Sequence, residues 1–247
     1  MHSMLRKLVP SGIKEKLRSK LYELVNPPSY DRYLRSYSQA GEDRIVFNLF
    51  NSMGISNPTY LDIGANLPIL NNNTYLFFEG GSSGVCVEPD PALFHHLSAV
   101  RKTDKCLNIG ITYDDRREAD FFVFDLPSLN TLSKSEADFR AKNGSHKVVK
   151  VIKVPLKTIN EVIDENFDRT PDFISIDVEG LDLEILSSLD LKKHRPAAVC
   201  VETVTYSENR TERKMTEIDD FMTSNGYFVY ADTHINTIYV DEQKFGA

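Results

Sequence analysis

The segment Tyr60-Leu61-Asp62-Ile63-Gly64-Ala65-Asn66 constrains this chain more than any other: an apolar run carrying an acid, then a glycine turn, then a polar helix start. Glycine has no Cβ, so its backbone can turn tightly and come close to a neighbouring strand or a bound nucleoside. The pattern is that of a strand feeding a helix, and it recurs. Short apolar runs at residues 59–63, 84–88, 105–111, 172–177 and 197–202 alternate with helix-period segments, which predicts βαβ units and a mostly parallel sheet. Their dense Val, Ile and Leu content suits strands covered by helices on both faces.

Two further runs, 227–232 and 237–241, stand only a few residues apart. That gap is too short for a helical crossover and predicts an antiparallel hairpin at a sheet edge. Residues 120–124 and 147–154 alternate in the same way around a polar stretch, 128–145. They read as an insertion adding edge strands and a mobile loop. Residues 42–53 carry Ile45, Val46, Leu49 and Phe50 at helical spacing and end before Gly54, a helix leading into the first strand.

The first 24 residues are a separate object. Six Lys or Arg against Glu15 and Glu23 give them a net +4, while the remainder carries −11. Ile13, Leu17, Leu21 and Leu24 recur at helical spacing between basic residues, and Asn26-Pro27-Pro28 stops any helix there. The expected organisation is a basic amphipathic segment with a proline linker over 1–28, a helical lead-in over 29–58 and the main domain over 59–247. The basic helix either packs on the domain or on a partner subunit of a homo-oligomer, or makes weak contact with an anionic membrane surface through residues 4–25. No apolar run reaches the roughly 18 residues of a membrane span and the N-terminus lacks a secretory apolar stretch. The chain therefore reads as cytoplasmic, at most peripheral to the inner membrane face.

Composition narrows the partners. At 247 residues with 41% hydrophobic content, one sizeable core fits and two full domains do not. A net charge of −7 disfavours nucleic acid, since phosphate-binding domains carry basic surfaces. Cys86, Cys106 and Cys200 lie inside apolar runs without metal-binding spacing and read as inert core thiols.

The chemistry concentrates at strand ends. Glu88 comes 26 residues after Asp62, at the end of the second run, where a carboxylate can accept hydrogen bonds from both hydroxyls of a ribose. A dinucleotide site needs the phosphate-cradling G-x-G-x-x-G, whereas Gly64-Ala65-Asn66-Leu67-Pro68 has one glycine and a proline at the helix start. A nicotinamide-dependent dehydrogenase or epimerase is thereby disfavoured. S-adenosylmethionine has no phosphate, and acids suit its sulfonium charge.

In this combination the chain resembles the FkbM-type S-adenosylmethionine-dependent methyltransferases. The matching stretches are Tyr37-Ser38-Gln39-Ala40-Gly41-Glu42-Asp43, Leu61-Asp62-Ile63-Gly64-Ala65-Asn66, Asn73-Thr74-Tyr75-Leu76-Phe77, Val87-Glu88-Pro89-Asp90-Pro91, Ile174-Ser175-Ile176-Asp177-Val178-Glu179-Gly180 and Ala231-Asp232-Thr233-His234-Ile235-Asn236-Thr237. The resemblance implies a class I, Rossmann-like sheet of seven strands with the last antiparallel. It implies that Gly64, Ala65 and Asn66 line the cofactor, that Glu88 holds its ribose and that Gln39 approaches it. Asp62 and Asn73 join these as cofactor-binding candidates. Where many relatives carry a second glycine, this chain has Leu67-Pro68.

Methyl transfer is an in-line displacement in which the protein chiefly aligns nucleophile and methyl group, and an alcohol must also lose its proton. Asp177, Glu179 and His234 are the candidates for that base, Asp177 also being a natural helix cap and His234 a loop residue. Asp177 and Glu202 end neighbouring strands and could hold Mg²⁺ to acidify the hydroxyl. A plain hydrogen-bonded acid pair is the simpler reading. The expected activity is O-methylation of a sugar, polysaccharide or glycosylated small molecule, the sugar class coming from the resemblance. The rivals are methylation of an amine or a polypeptide, and a non-catalytic binding module on the same fold.

Overall fold

In the computed structural model the structure describes residues 35–209 and 211–246, so the expected basic helix and proline linker lie outside the described residues. Ten strands and eight α-helices follow the expected alternation. Helix α1 (Glu42–Ser52) leads into β1 (Tyr60–Ile63). Then come α2 (Tyr75–Glu79), β2 (Gly84–Val87), α3 (Pro91–Val100) and β3 (Lys105–Leu107). The inserted part holds β4 (Gly110–Thr112), β5 (Glu118–Phe124), α4 (Lys134–Asn143) and β6 (Val148–Thr158). The remainder is α5 (Ile159–Asn166), β7 (Phe173–Ile176), α6 (Asp182–Ser188), β8 (Ala198–Glu202), α7 (Thr216–Ser224), β9 (Tyr227–Asp232), β10 (Asn236–Asp241) and α8 (Glu242–Phe245).

Seven strands form one sheet in the order β3-β2-β1-β7-β8-β10-β9. The five from β3 to β8 are parallel, and β10 runs antiparallel to both β8 and β9. This is the Rossmann-like sheet of the class I methyltransferases, with the last strand slotted inside the edge hairpin. Side chains alternate across it. Leu61, Ile63, Val85, Val87, Ile174 and Ile176 pack with α5, α6 and α7, while Tyr60, Cys86 and Phe173 face α1 and α3. Both faces are therefore dry, as the apolar runs require. Local chemistry starts the helices. Asp90 caps α3 by accepting from the N–H groups of Ala92 (2.7 Å) and Leu93 (3.3 Å), with Pro91 first in the helix, and Thr158 and Glu161 form a capping box on α5.

Two expectations are corrected. The run 105–111 is not one strand: it breaks at Asn108, whose amide donates to the carbonyls of Glu88 (2.8 Å) and Pro89 (3.0 Å), and β4 leaves to pair with β6. The insertion does not extend the main sheet. It builds a separate three-stranded sheet, β4-β6-β5, and its polar stretch holds a 3₁₀ turn (Pro127–Leu129) and α4 rather than a loop. No described helix is long and apolar enough to cross a membrane.

A buried cation anchors the segment between β1 and α2. Arg101 is fully buried and donates from Nε to Asp104 (2.7 Å), from Nη1 to Asn72 (3.1 Å) and the Pro68 carbonyl (3.3 Å), and from Nη2 to Tyr60 (3.1 Å) and Thr74 (2.8 Å). The Leu67-Pro68 departure is thus accommodated by a guanidinium that holds the proline's carbonyl. Removing one partner of a buried ion pair strands the other. Arg101→Met should lower the unfolding free energy by about 3–5 kcal/mol in urea titration, and the R101M/D104N pair should lose less than R101M alone.

Candidate functional site

The carboxyl ends of β2, β1, β7 and β8 stand side by side, and each carries a residue with chemistry: Glu88, Gly64, Asp177 and Glu202. Neighbouring strands lie about 4.8 Å apart, so the four residues form a row. All four line one cavity of about 310 Å³, roofed from the inserted sheet by residues such as Phe121 and Leu132. Ligands of open α/β sheets bind beyond such strand ends.

At one end Glu88 is held rigidly. Its Oε2 accepts from the N–H of Asn66 (2.9 Å) and its Oε1 from the N–H of Asp90 (2.8 Å), leaving further lone pairs toward the cavity. Burial pushes its pKa up to about 7 against those two donors. Gly64 turns the chain between Glu88 and the acids with φ +81°, and a Cβ there would lie 1.8 Å from the carbonyl oxygen of Asp177. The N–H groups of Gly64 and Ala65 both donate to the Val87 carbonyl at 3.0 Å, so the turn is fixed to β2 as well as to β7.

The other end is acidic. Asp177 and Glu202 follow the paired residues Ile176 and Val201, which sets them beside each other. Burial, with repulsion from neighbouring carboxylates, pushes both carboxyls well above their ordinary range. After Asp177 the backbone makes two left-handed steps, Glu179 at φ 59° and Gly180 at φ 104°. Asp182 staples that turn, its Oδ1 accepting from Val178 N–H (3.0 Å) and its Oδ2 from Gly180 N–H (3.1 Å), and burial pushes it up to about 6. Glu179 also lines the cavity; burial pushes it up to about 7, opposed by the guanidinium of Arg140 at 2.8 Å. Asp177, Asp182 and Glu202 each bring a carboxylate oxygen within 4.8 Å of the others, a spacing one divalent cation could bridge.

The residues singled out in sequence divide cleanly. Gln39, Gly64, Asn66, Glu88, Asp177, Glu179 and Glu202 line the cavity. Asp62, Ala65, Asn73 and His234 do not. Strand alternation points Asp62 to the face of Tyr60, where it is buried and accepts from Thr74 (2.8 Å) and Asn72 (3.1 Å). Ala65 is buried under its own turn, its carbonyl bonded to Asn72 (3.1 Å). Asn73 ties the loop to the sheet through Ser175 Oγ (3.1 Å). These three hold the turn from behind. His234 is 70% exposed in the β9–β10 connection, pairs with Glu212 at 3.1 Å and lies outside the lining of this cavity. Sequence reasoning missed Asp182, Arg140 and Tyr206. The first stands two residues after Gly180, a spacing that invites a turn-stapling acid; the other two have no signal, because long-range packing alone brings them in.

Residues 62–229, about two thirds of the chain, match the family model described as the methyltransferase FkbM domain. No curated protein matches the chain. Among solved structures, it is similar to the O-methyltransferase from Bacillus cereus in complex with SAH, with 11% identity over 96% of this chain and 94% of that one and a TM-score of 0.43. It is also similar to magnesium protoporphyrin IX methyltransferase from Synechocystis PCC 6803, with 7% identity over 91% and 99% and a TM-score of 0.43.

The geometry at Gly64 gives a direct test. Gly64→Ala places a methyl inside the Asp177 backbone in a conformation that L residues rarely adopt, at a cost of about 1–3 kcal/mol from the dihedral alone. The variant should unfold at lower urea and lose binding of S-adenosylhomocysteine in calorimetry, while Gly81→Ala, with open space at its Cβ, should keep that binding.

Proposed function

The chain belongs to the methyltransferase FkbM domain family, and from that premise we propose that it transfers the methyl group of S-adenosylmethionine to a hydroxyl of a sugar, polysaccharide or glycosylated small molecule. The observation that carries this reading is the row of strand-end residues in one cavity, the rigidly held acid Glu88 at one end and the carboxylates Asp177 and Glu202 at the other. The cofactor fits that row. Glu88, with both oxygens oriented by backbone N–H groups, would accept from the ribose hydroxyls, and Gly64 leaves its backbone open beside them. Leu93, Ile111 and Pro89 provide apolar wall on the same side, suited to a nucleobase. When bound, S-adenosylmethionine supplies a methyl group on a cationic sulfur whose departure leaves a neutral sulfide.

Asp177 and Glu202 do the remaining work. Side by side at adjacent strand ends, the two carboxyls hold a proton more readily than free acids do, because burial and neighbouring carboxylates disfavour their charged forms. The unprotonated oxygen accepts a hydrogen bond from the acceptor's hydroxyl, orients the oxygen lone pair and takes the proton as the new bond forms. Glu179 offers a second acceptor for a neighbouring hydroxyl, which suits the paired hydroxyls of a sugar. The excess of carboxylates also favours a cationic acceptor, so methylation of an amine is the second reading. A divalent cation across Asp177, Asp182 and Glu202 is a third arrangement, in which Asp182 would bind while retaining its backbone N–H partners.

Two measurements follow. Glu88 must be ionised to accept from two hydroxyls, and its pKa in the empty protein is about 7. Affinity for S-adenosylhomocysteine should therefore be weak at acid pH and rise as pH passes through about 7; Glu88→Gln should flatten that rise and weaken binding about 10- to 100-fold at pH 8. Labelled S-adenosylmethionine, incubated with extracts of the producing cells, should mark a hydroxyl-bearing glycan in mass analysis. Asp177→Asn should slow that transfer about 100-fold or more and exhaustive EDTA should leave it unchanged. Labelling of amines alone selects the second reading, and loss of transfer to EDTA selects the cation.

A further inference from the structure

Arg140 belongs to α4, in the insertion, yet it reaches the acid end of the cavity. Its side chain is 3% exposed. Nη2 meets Glu179 Oε2 at 2.8 Å, Nε donates to Glu136 Oε1 (2.8 Å) and Nη1 to the Leu129 carbonyl (3.2 Å). The flat face of the guanidinium lies 4.7 Å from the ring centre of Tyr206, which comes from the segment after β8. Both Glu179 and Tyr206 line the cavity, and Arg140 is what joins them. A planar cation with a fixed fork of donors can grip a carboxylate and stack on an aromatic ring at once; lysine can do only part of this.

Further contacts dock the insertion on the same turn. Thr131 Oγ1 donates to the Glu179 carbonyl at 2.8 Å, and a Cβ on Gly180 would lie 3.0 Å from Glu136 Cγ. Left to itself, Glu179 sits on a left-handed backbone step among like charges from Asp177, Asp182, Glu136 and Glu202, with Arg140 as the opposing cation. Without that cation, burial and the neighbouring carboxylates would disfavour the charged side chain in this position.

We infer that Arg140 is a positioning residue for methyl transfer, setting Glu179 and Tyr206 as one wall of the acceptor's end of the cavity. This rests on reading the acid end as the acceptor's site. Arg140 acts through Glu179 and, among the described residues, bonds directly to none of Glu88, Asn66 and Asp90, so it governs the acceptor and not the cofactor. The inserted sheet and helix are then part of acceptor recognition, because they bring the residue that completes this wall.

The test uses full-length protein, labelled S-adenosylmethionine and a dilution series of cell extract as acceptor source. Arg140→Met should raise the extract concentration for half-maximal transfer about tenfold or more. The S-adenosylmethionine concentration for half-maximal rate and the affinity for S-adenosylhomocysteine should stay within about twofold. R140K, which keeps the charge but loses the fork, should recover much of the loss. The double variant R140M/E179Q should be no worse than E179Q, since the two act as one unit. Losses that multiply, an equal rise for the cofactor, or R140M indistinguishable from wild type would each overturn the proposal. A urea double-mutant cycle over positions 140 and 179, with R140K in place of R140M if the latter does not fold, needs no acceptor; zero coupling there overturns it too. Failure of the wild type to bind S-adenosylhomocysteine would instead strike the functional reading itself, and is seen before any variant is made.

Discussion

The close approach of Gly64 to the carbonyl of Asp177 is the constraint on which the rest depends. A missing Cβ lets the β1 turn lie directly on the end of β7, and so puts the cofactor turn and the acid turn into one cavity instead of two surface features. The same turn is bonded to β2 through the Val87 carbonyl, which brings Glu88 within reach of the Asn66 N–H. Three consecutive strands are thereby locked at their carboxyl ends, and the ligand-facing groups inherit the sheet's spacing. Preorganisation of this kind needs no motion on the part of the residues that hold the ligand.

Charge is distributed with the same economy on the two sides of that turn. Behind it, the buried Arg101 pairs with Asp104 and gathers Asn72, Thr74, Tyr60 and the Pro68 carbonyl, and Thr74 and Asn72 in turn donate to Asp62. In front of it, Asp177 and Glu202 line the cavity beside Glu179, whose carboxylate pairs with the cation Arg140. Two acids at the ends of adjacent parallel strands cannot both be charged cheaply in a dry cleft. Burial and the neighbouring carboxylates accordingly raise the affinity of both for a proton.

How much of this was legible depends on the range of the interaction. The alternating runs, the mostly parallel sheet and the antiparallel last pair follow from run lengths and gaps, and Gly64 and Glu88 from their places at run ends. Strand alternation was also available. Tyr60 and Asp62 share a parity, so an acid two residues from a core tyrosine belongs to the same buried face; taking it as a ligand-facing residue overlooked the period of two. His234 illustrates the opposite limit, since a loop histidine's neighbours are set by where Glu212 comes to rest. The run 105–111 looked continuous because nothing local marks Asn108 as bonded to Glu88 and Pro89 across the strand tips.

The sequence by itself determined the alternating elements, the glycine turn, the acid of the second strand and the acidic ends of the fourth and fifth, because periodicity, turn chemistry and strand-end position act over a few residues. Only the tertiary structure decided that the insertion forms its own sheet, that Arg140 joins Tyr206 to Glu179, and that Asp62 is held by Thr74 and Asn72 away from the cavity. Those outcomes turn on contacts between residues far apart in the chain, 39 positions in the case of Arg140 and Glu179. Packing and burial choose such partners after the sheet has formed, and no local pattern encodes them.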